Sequence, residues 1–89
     1  MKVEFDKSFL KSLDKLGEAS IKNRLIEIIS EAENAKSLSD IPQIKKLTGF
    51  KEFYRIRIGN YRLGLELIDN DTLLFIIISH RKDIYKLFP

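Results

Sequence analysis

Residues 53–67 read FYRIRIGNYRLGLEL, two runs of alternating polar and apolar residues on either side of Gly59 and Asn60. A two-residue break that contains glycine, placed between alternating runs, is typical of a β-hairpin. With Gly59 and Asn60 in the turn, Ile58 pairs with Tyr61, and every other pair follows by counting outward. This stretch therefore predicts a hairpin whose register is set by its turn.

The predicted register gives the two faces of the hairpin different characters. One face is apolar and is expected to pack on the core: Tyr54, Ile56, Ile58, Tyr61, Leu63, Leu65 and Leu67. On the other face Arg57 lies opposite Arg62, and Arg55 lies opposite Gly64, which has no side chain to fill the space. Like charges directly across a strand pair are destabilising, whereas guanidinium groups bind phosphate or carboxylate oxygens in pairs. An anion-binding site fits this pattern, and so does an ordinary solvated strand face with Glu66 and other acids nearby as partners.

Length and composition predict one soluble domain over residues 1–89. The chain is long enough for a single modest core and too short for two. It contains no cysteine and only one histidine, so we expect no metal site and no cofactor. Its sequence has no signal-like N-terminus and no apolar run of membrane-spanning length, so we expect no membrane association and a cytoplasmic location.

The charge is distributed unevenly along the chain. The net charge is +3, and residues 1–40 carry seven Lys or Arg against eight Asp or Glu, whereas residues 41–89 carry nine against five. The basic excess lies in the half that contains the hairpin. It favours a nucleic acid or an acidic protein as partner and does not distinguish between them.

The first half of the chain predicts a short strand followed by two helices. Residues 2–5 alternate between polar and apolar, and Asp6 can cap a helix that ends at Gly17. Apolar residues recur at helical spacing over about residues 18–35, so the two helices form an αα-hairpin. A single helical turn capped by Ser39 is expected before the β-hairpin.

The second half predicts a three-strand antiparallel meander. The hairpin strands are expected at about residues 51–58 and 61–68, and the apolar run at residues 72–79 predicts a third strand, covered on both faces or central. Residues 81–88 suit one helical turn or an edge strand. The expected class is α+β: a twisted antiparallel sheet (short first strand plus three-strand meander) packed on an N-terminal αα-hairpin, in the order β-α-α-β-β-β with a short C-terminal tail.

The end of the third strand is predicted to bring another arginine to the basic face. A two-residue turn before this strand pairs Arg62 with Ser79, and a three-residue loop shifts the pairing by one. Side-chain alternation then places Arg81 on the face of Arg62, while His80 points the other way. Arginines from three separate segments would converge, which favours the anion-site interpretation.

Three motifs carry a resemblance to a known family: YRIR at residues 54–57, GNYRL at 59–63 and HRKDIY at 80–85. Over essentially the whole chain, the sequence resembles the RelE/ParE superfamily of bacterial and archaeal toxins from toxin–antitoxin pairs. Its RelE-type members are mRNA endonucleases that enter the ribosomal A site and cut the codon there. The resemblance implies the ribosome and mRNA as targets, a cognate acidic antitoxin as partner, and a heterotetramer with it as one of the assemblies to expect. A ParE-like inhibitor of DNA gyrase and a non-catalytic protein-binding module are the alternatives.

The resemblance also implies which residues act on RNA. Transferred by motif, the active residues are Arg55, Arg57, Arg62, Arg81 and Tyr85. The lysines expected along the approach of the RNA, each of which also suits a plain solvated face, are Lys45, Lys46, Lys51 and Lys82. Tyr85 suits stacking on a base or donating a proton, and its alternative role is a hydrophobic plug at the end of the core with Leu87 and Phe88.

Metal-free cleavage by the neighbouring 2′-hydroxyl needs a group that accepts the hydroxyl proton. Some nucleases of this family have lysines where this chain has Arg55 and Arg57, and arginine stays protonated. His80 is the only side chain whose unperturbed pKa lies near neutrality, which makes it the candidate base. Its alternative role is a partly buried histidine at the strand end that packs beside Tyr61.

Overall fold

The computed structural model describes residues 1–50 and 52–89. In chain order its elements are β1 (Lys2–Phe5), α1 (Lys7–Asp14), α2 (Ala19–Asn34), a 3₁₀ turn (Leu38–Asp40), β2 (Ile44–Lys46), β3 (Phe53–Ile58), β4 (Tyr61–Ile68), β5 (Thr72–His80) and α3 (Ile84–Leu87). The strands form one sheet in the order β1-β5-β4-β3-β2, in which β1 runs parallel to β5 and the other neighbours are antiparallel. The predicted α+β class and the meander are confirmed, but the sheet has five strands and is mixed.

The register of the β3–β4 hairpin agrees with every pair counted from its turn. Arg57 lies opposite Arg62, Arg55 opposite Gly64, and Ile58 opposite Tyr61. Gly59 has a φ of +57°, a backbone conformation that glycine adopts without steric cost. The turn chemistry therefore fixes which side chains share a face.

Two irregularities in the β4–β5 pair cancel each other. The connecting loop has three residues, 69–71, so Ile68 pairs with Thr72 and the pairing shifts by one. A β-bulge farther along, next to Gly64, shifts it back. Arg62 consequently lies opposite Ser79, the pairing expected for a two-residue turn.

The edge strand β2 is the element that the sequence did not predict. Ile44 pairs with Ile56 and Lys45 with Arg55, which adds a fifth strand beside β3. The expected helical turn is present as the 3₁₀ turn, but the cap assigned to Ser39 is wrong, because the residue at its N-cap is Ser37.

Helix α2 and the start of α1 lie close to the predicted positions, whereas the end of α1 does not. Asp6 caps α1 as expected, since its carboxylate accepts a hydrogen bond of 3.0 Å from the backbone N–H of Ser8. The predicted end at Gly17 is wrong: α1 ends at Asp14, and Lys15 is its C-cap. Within residues 1–50 and 52–89 no helix is long and apolar enough to cross a membrane.

Both helices contribute to one core on the apolar face of the sheet. The largest fully buried side chains come from both layers: Phe9, Leu25, Ile28, Ile56, Leu63, Leu65, Leu73 and Phe75. Fully burying a side chain of this size contributes about 1.5–3 kcal/mol. The core thus covers one face of the sheet, and the basic residues and the C-terminal tail lie on the other face.

The C-terminal tail lies against the other face of the sheet. It forms the single helical turn α3, one of the two predicted alternatives, and Phe88 follows it with only 4% of its surface exposed. A Cβ atom placed on Gly64 would lie 2.8 Å from the Phe88 ring, and the Phe53 ring packs edge-on to Phe88 with centroids 5.5 Å apart. The space predicted to stand open above Gly64 is therefore filled by the protein's own phenylalanine.

Candidate functional site

Two neighbouring rows of the sheet carry the basic side chains, on the face away from the core. One row runs Arg57, Arg62, Ser79 across β3, β4 and β5. In the adjacent row Lys45 of β2 lies opposite Arg55 of β3. Directly opposed residues of an antiparallel pair point to the same side, so both rows place like charges across from each other.

The hairpin turn holds two of the arginines through backbone hydrogen bonds. Arg62 Nη1 donates to the carbonyl oxygens of Gly59 at 2.9 Å and Tyr61 at 2.8 Å. The backbone N–H of Arg81 donates to the carbonyl oxygen of Asn60 at 2.8 Å. The end of β5 is therefore fixed beside the turn, which brings Arg81 to the row of Arg62.

Four guanidinium groups lie close enough for their charges to interact. The pKa of Arg62 is lowered, first by desolvation and then by the positive charges of Arg57, Arg55 and Arg81, while Tyr85 acts in the opposite direction. Each group that adds positive charge makes the protonated form of Arg62 less favourable. The other four residues named from the motifs therefore lie near Arg62.

None of these arginines is neutralised by an acidic side chain within residues 1–50 and 52–89. The ion pairs in that part of the chain join Arg24 to Glu27 and Glu31 on α2. Arg55 Nη1 is buried and has no hydrogen-bond partner among the described residues. A buried donor without a partner costs free energy, about 1–3 kcal/mol and more when charged.

A cavity of about 550 Å³ lies beside these arginines, between the β2–β3 connection and the tail. Its lining residues are Lys46, Leu47, Thr48, Phe50, Arg55, Tyr85, Phe88 and Pro89. Tyr85 is 66% exposed, so the plug role considered for it is wrong, and Phe88 occupies that position instead. Sequence reasoning did not single out Phe50, whose only signal is an aromatic residue directly after Gly49 in a connection between strands.

His80 is not brought to the arginines. It lies opposite Tyr61 on the core side of the sheet, with the two rings edge-on and their centroids 5.6 Å apart. Its Nδ1 accepts a hydrogen bond of 3.2 Å from the backbone N–H of Lys82. That contact occupies a ring nitrogen that a general base would need, and the geometry matches the alternative of a strand-end histidine beside Tyr61.

The predicted RNA-binding lysines occupy different places. Lys45 shares the face of Arg55, Lys46 lines the cavity, and Lys82 is exposed in the loop after β5. Lys51 lies outside the described residues. The described lysines therefore come from β2 and from the loop after β5, on either side of the β3–β4 hairpin in the strand order.

Fold and site together define a small α+β domain with a cluster of arginines on one face of its sheet. Residues 3–85 match the family model described as the ParE toxin of type II toxin–antitoxin systems, parDE. The chain belongs to the RelE/ParE superfamily of toxins.

Individual relatives agree with this family. The chain is 46% identical to Toxin RelE3 of Methanocaldococcus jannaschii, with both chains covered in full. It is also similar to the RelB-RelE antitoxin-toxin complex from Methanococcus jannaschii, with a TM-score of 0.82 and 42% identity over 97% of this chain and 99% of that one. The archaeal RelE-RelB complex from Pyrococcus horikoshii shares the fold, with a TM-score of 0.72 at 21% identity over 93% of this chain and 97% of that one.

Proposed function

We propose that this protein is a ribosome-dependent endonuclease that cuts mRNA in the A site, and that a cognate antitoxin inhibits it. The observation that carries the proposal is the cluster of arginines around Arg62, for which the described residues supply no acidic partner. Four guanidinium groups within a small area fit a group with several anionic oxygens, such as a phosphodiester.

RNA and water supply every atom that the reaction requires. The 2′-oxygen forms a bond to the adjacent phosphorus, and the bond from phosphorus to the 5′-oxygen breaks. The products are a 2′,3′-cyclic phosphate and a free 5′-hydroxyl. Arg57, Arg62 and Arg81 stabilise the charge that develops on the phosphorane oxygens, and each such donor contributes about 3 kcal/mol.

The chain binds and orients RNA and leaves part of the proton transfer to its target. His80, the candidate base, packs on the other side of the sheet from the arginines. The acceptor of the 2′-hydroxyl proton is then a group of the ribosome or water. Tyr85 is exposed beside the arginines and can stack on a base or donate to the 5′-oxygen.

The inhibitor in this proposal is an acidic antitoxin, encoded with the toxin and bound to it in the cytoplasm. The similar structure from Methanococcus jannaschii is a complex with the antitoxin RelB, which supports a partner of that kind here. The basic second half of the chain supplies the complementary charge.

The second candidate is a ParE-like inhibitor of DNA gyrase, which the name of the matching family favours. Two assays on the purified toxin separate the candidates. With ribosomes programmed on a defined mRNA, the nuclease yields fragments cut within the A-site codon and leaves gyrase supercoiling unaffected. Intact mRNA together with inhibited supercoiling would reject the nuclease in favour of the gyrase inhibitor.

A further inference from the structure

Helix α1 lies along the edge of strand β5 and is hydrogen-bonded to it by two serines. Strand β1 pairs with residues 72–75 of β5, and beyond them α1 takes its place beside that edge. Ser8 Oγ donates to the carbonyl oxygen of Ile76 at 2.6 Å, and the backbone N–H of Ile78 donates to Ser12 Oγ at 3.0 Å. These bonds fix the helix relative to the strand, and with it the side chains that follow the serines.

A cavity of about 360 Å³ lies between α1, the end of β5 and α3. Small-molecule sites have volumes of about 300–1,000 Å³, so this one suits a small ligand. Its titratable lining residues are Lys11, Lys15, Tyr61 and His80, and none of the described residues that line it is acidic. Leu87 of α3, which is 58% exposed, supplies an apolar wall.

The basic groups of this cavity can donate hydrogen bonds to a common ligand. Lys11 in the last turn of α1 and Lys15 at its C-cap are one helical turn apart, so both side chains project to the same side. Neither lysine takes part in an ion pair in the part of the chain that the structure describes. His80 Nδ1 accepts from the backbone N–H of Lys82, so the ring proton is on Nε2, which is a donor. A ligand with anionic oxygens matches this set of donors.

The charges outside the cavity favour a small ligand over a polymer. Residues 1–40, which include α1, carry seven Lys or Arg against eight Asp or Glu, and Asp14 and Glu18 flank Lys15 in the sequence. A nucleic acid binds through many phosphate contacts along a basic track. The N-terminal half of the chain supplies no such excess of charge, so the two lysines are suited to one anionic group.

We propose that this cavity binds a small phosphate monoester, with the phosphate oxygens on Lys11, Lys15 and His80 and the organic group against Leu87. The two ammonium groups match the charge of about −1.5 to −2 that a phosphate monoester carries at pH 7, whereas a carboxylate would leave one of them unneutralised. Tyr61 and His80 lie on the core side of the sheet, so this site is separate from the arginine cluster. Such a ligand would bind whether or not the protein cleaves RNA.

The test is a titration of the purified protein with phenyl phosphate, followed by the ring proton resonances of His80. The chain contains one histidine, so these resonances are identified without further assignment. We expect a shift that saturates with phenyl phosphate and a weaker response to inorganic phosphate, which lacks the organic group. Benzyl alcohol has an aromatic group without the phosphate and should give no saturable shift. If phenyl phosphate gives none either, the proposal is overturned.

Two double variants separate this cavity from the general charge of the protein. Lys11→Gln with Lys15→Gln should raise the dissociation constant of phenyl phosphate about 5-fold for each lysine, or about 25-fold together. The matched control is Lys7→Gln with Lys22→Gln, which removes the same charge outside the residues that line the cavity. It should leave the dissociation constant unchanged, and circular dichroism should show both proteins folded. Equal losses of affinity in the two double variants would overturn the proposal.

Two further measurements test the place of binding and the class of ligand. Because phosphate also suits the arginine cluster, the titration is repeated with Arg57→Ala, in which the midpoint of the His80 shift should stay at its wild-type value. A midpoint that moves with Arg57→Ala but not with the lysine substitutions would assign the phosphate to the arginines and overturn a separate site. A deoxytrinucleotide that shifts His80 with the same dependence on Lys11 and Lys15 would place nucleic acid in the cavity and overturn the small ligand.

Discussion

Gly64→Ala tests how the tail is held over the arginine face. The new Cβ would lie 2.8 to 2.9 Å from three atoms of the Phe88 ring, closer than atoms in contact tolerate, so the ring has to leave its place. Losing the burial of a phenylalanine costs about 1.5–3 kcal/mol. Replacing a strand glycine returns about 0.5–1 kcal/mol of backbone entropy. We expect a net loss of about 1–2 kcal/mol in the free energy of unfolding.

A double-mutant cycle isolates this contact from other effects of the substitution. With Phe88→Ala already in place there is no ring to displace, so Gly64→Ala should then stabilise the domain by about 0.5–1 kcal/mol. Urea unfolding of the four proteins gives the coupling free energy between the two sites, expected near 1.5–3 kcal/mol. Additive effects, or a Gly64→Ala variant as stable as the wild type, would refute the contact between Phe88 and Gly64 as the clamp on the tail.

Three other substitutions test the site and the helix cap. Arg57→Glu turns the like-charged pair with Arg62 into an opposite-charged one, so the free energy of unfolding should rise by about 0.2–1 kcal/mol, most clearly at low salt. The same substitution should lower the rate of mRNA cleavage. Arg62→Lys keeps the charge but cannot keep the guanidinium geometry that reaches Gly59, so cleavage on programmed ribosomes should fall although the protein still unfolds cooperatively. Hydrogen bonds from Ser8 hold the pKa of Asp6 below its ordinary value of 3.8. This carboxylate therefore stabilises the fold above that pH, and the stabilisation is lost as the pH falls through the lowered pKa. Asp6→Asn should remove that part of the acid dependence of the melting temperature, and an unchanged acid profile would contradict the role of the cap.

The hairpin could be predicted from sequence to the residue because its information is local. The turn at Gly59 and Asn60 fixes the register, and the alternation on both sides fixes the faces, so the opposition of Arg57 and Arg62 follows from counting. For the partner of Arg62 the sequence leaves two loop lengths open, and Ser79 is the partner expected for the shorter one. The loop is one residue longer than a two-residue turn, and a bulge that no sequence pattern marks shifts the register back.

The features that sequence did not reveal depend on contacts between distant segments. The strand β2 has only three residues, two of them exposed lysines, and exists because β3 offers an edge to pair with. Phe88 fills the space above Gly64 because the tail turns back across the sheet, a path that neither residue encodes locally. Side-chain alternation did place His80 away from the arginines, where its ring packs edge-on against Tyr61.

The most direct test of the account is the cleavage rate of a defined mRNA on programmed ribosomes, measured for Arg81→Ala and Arg24→Ala. Both variants remove one arginine, but Arg81 belongs to the cluster around Arg62, whereas Arg24 is paired with Glu27 and Glu31 on α2. We expect a loss of about 10²- to 10³-fold for Arg81→Ala, with the 2′,3′-cyclic phosphate ends of the remaining product unchanged. For Arg24→Ala we expect the wild-type rate. Equal rates for the two variants would contradict the claim that the converging arginines act on the phosphate.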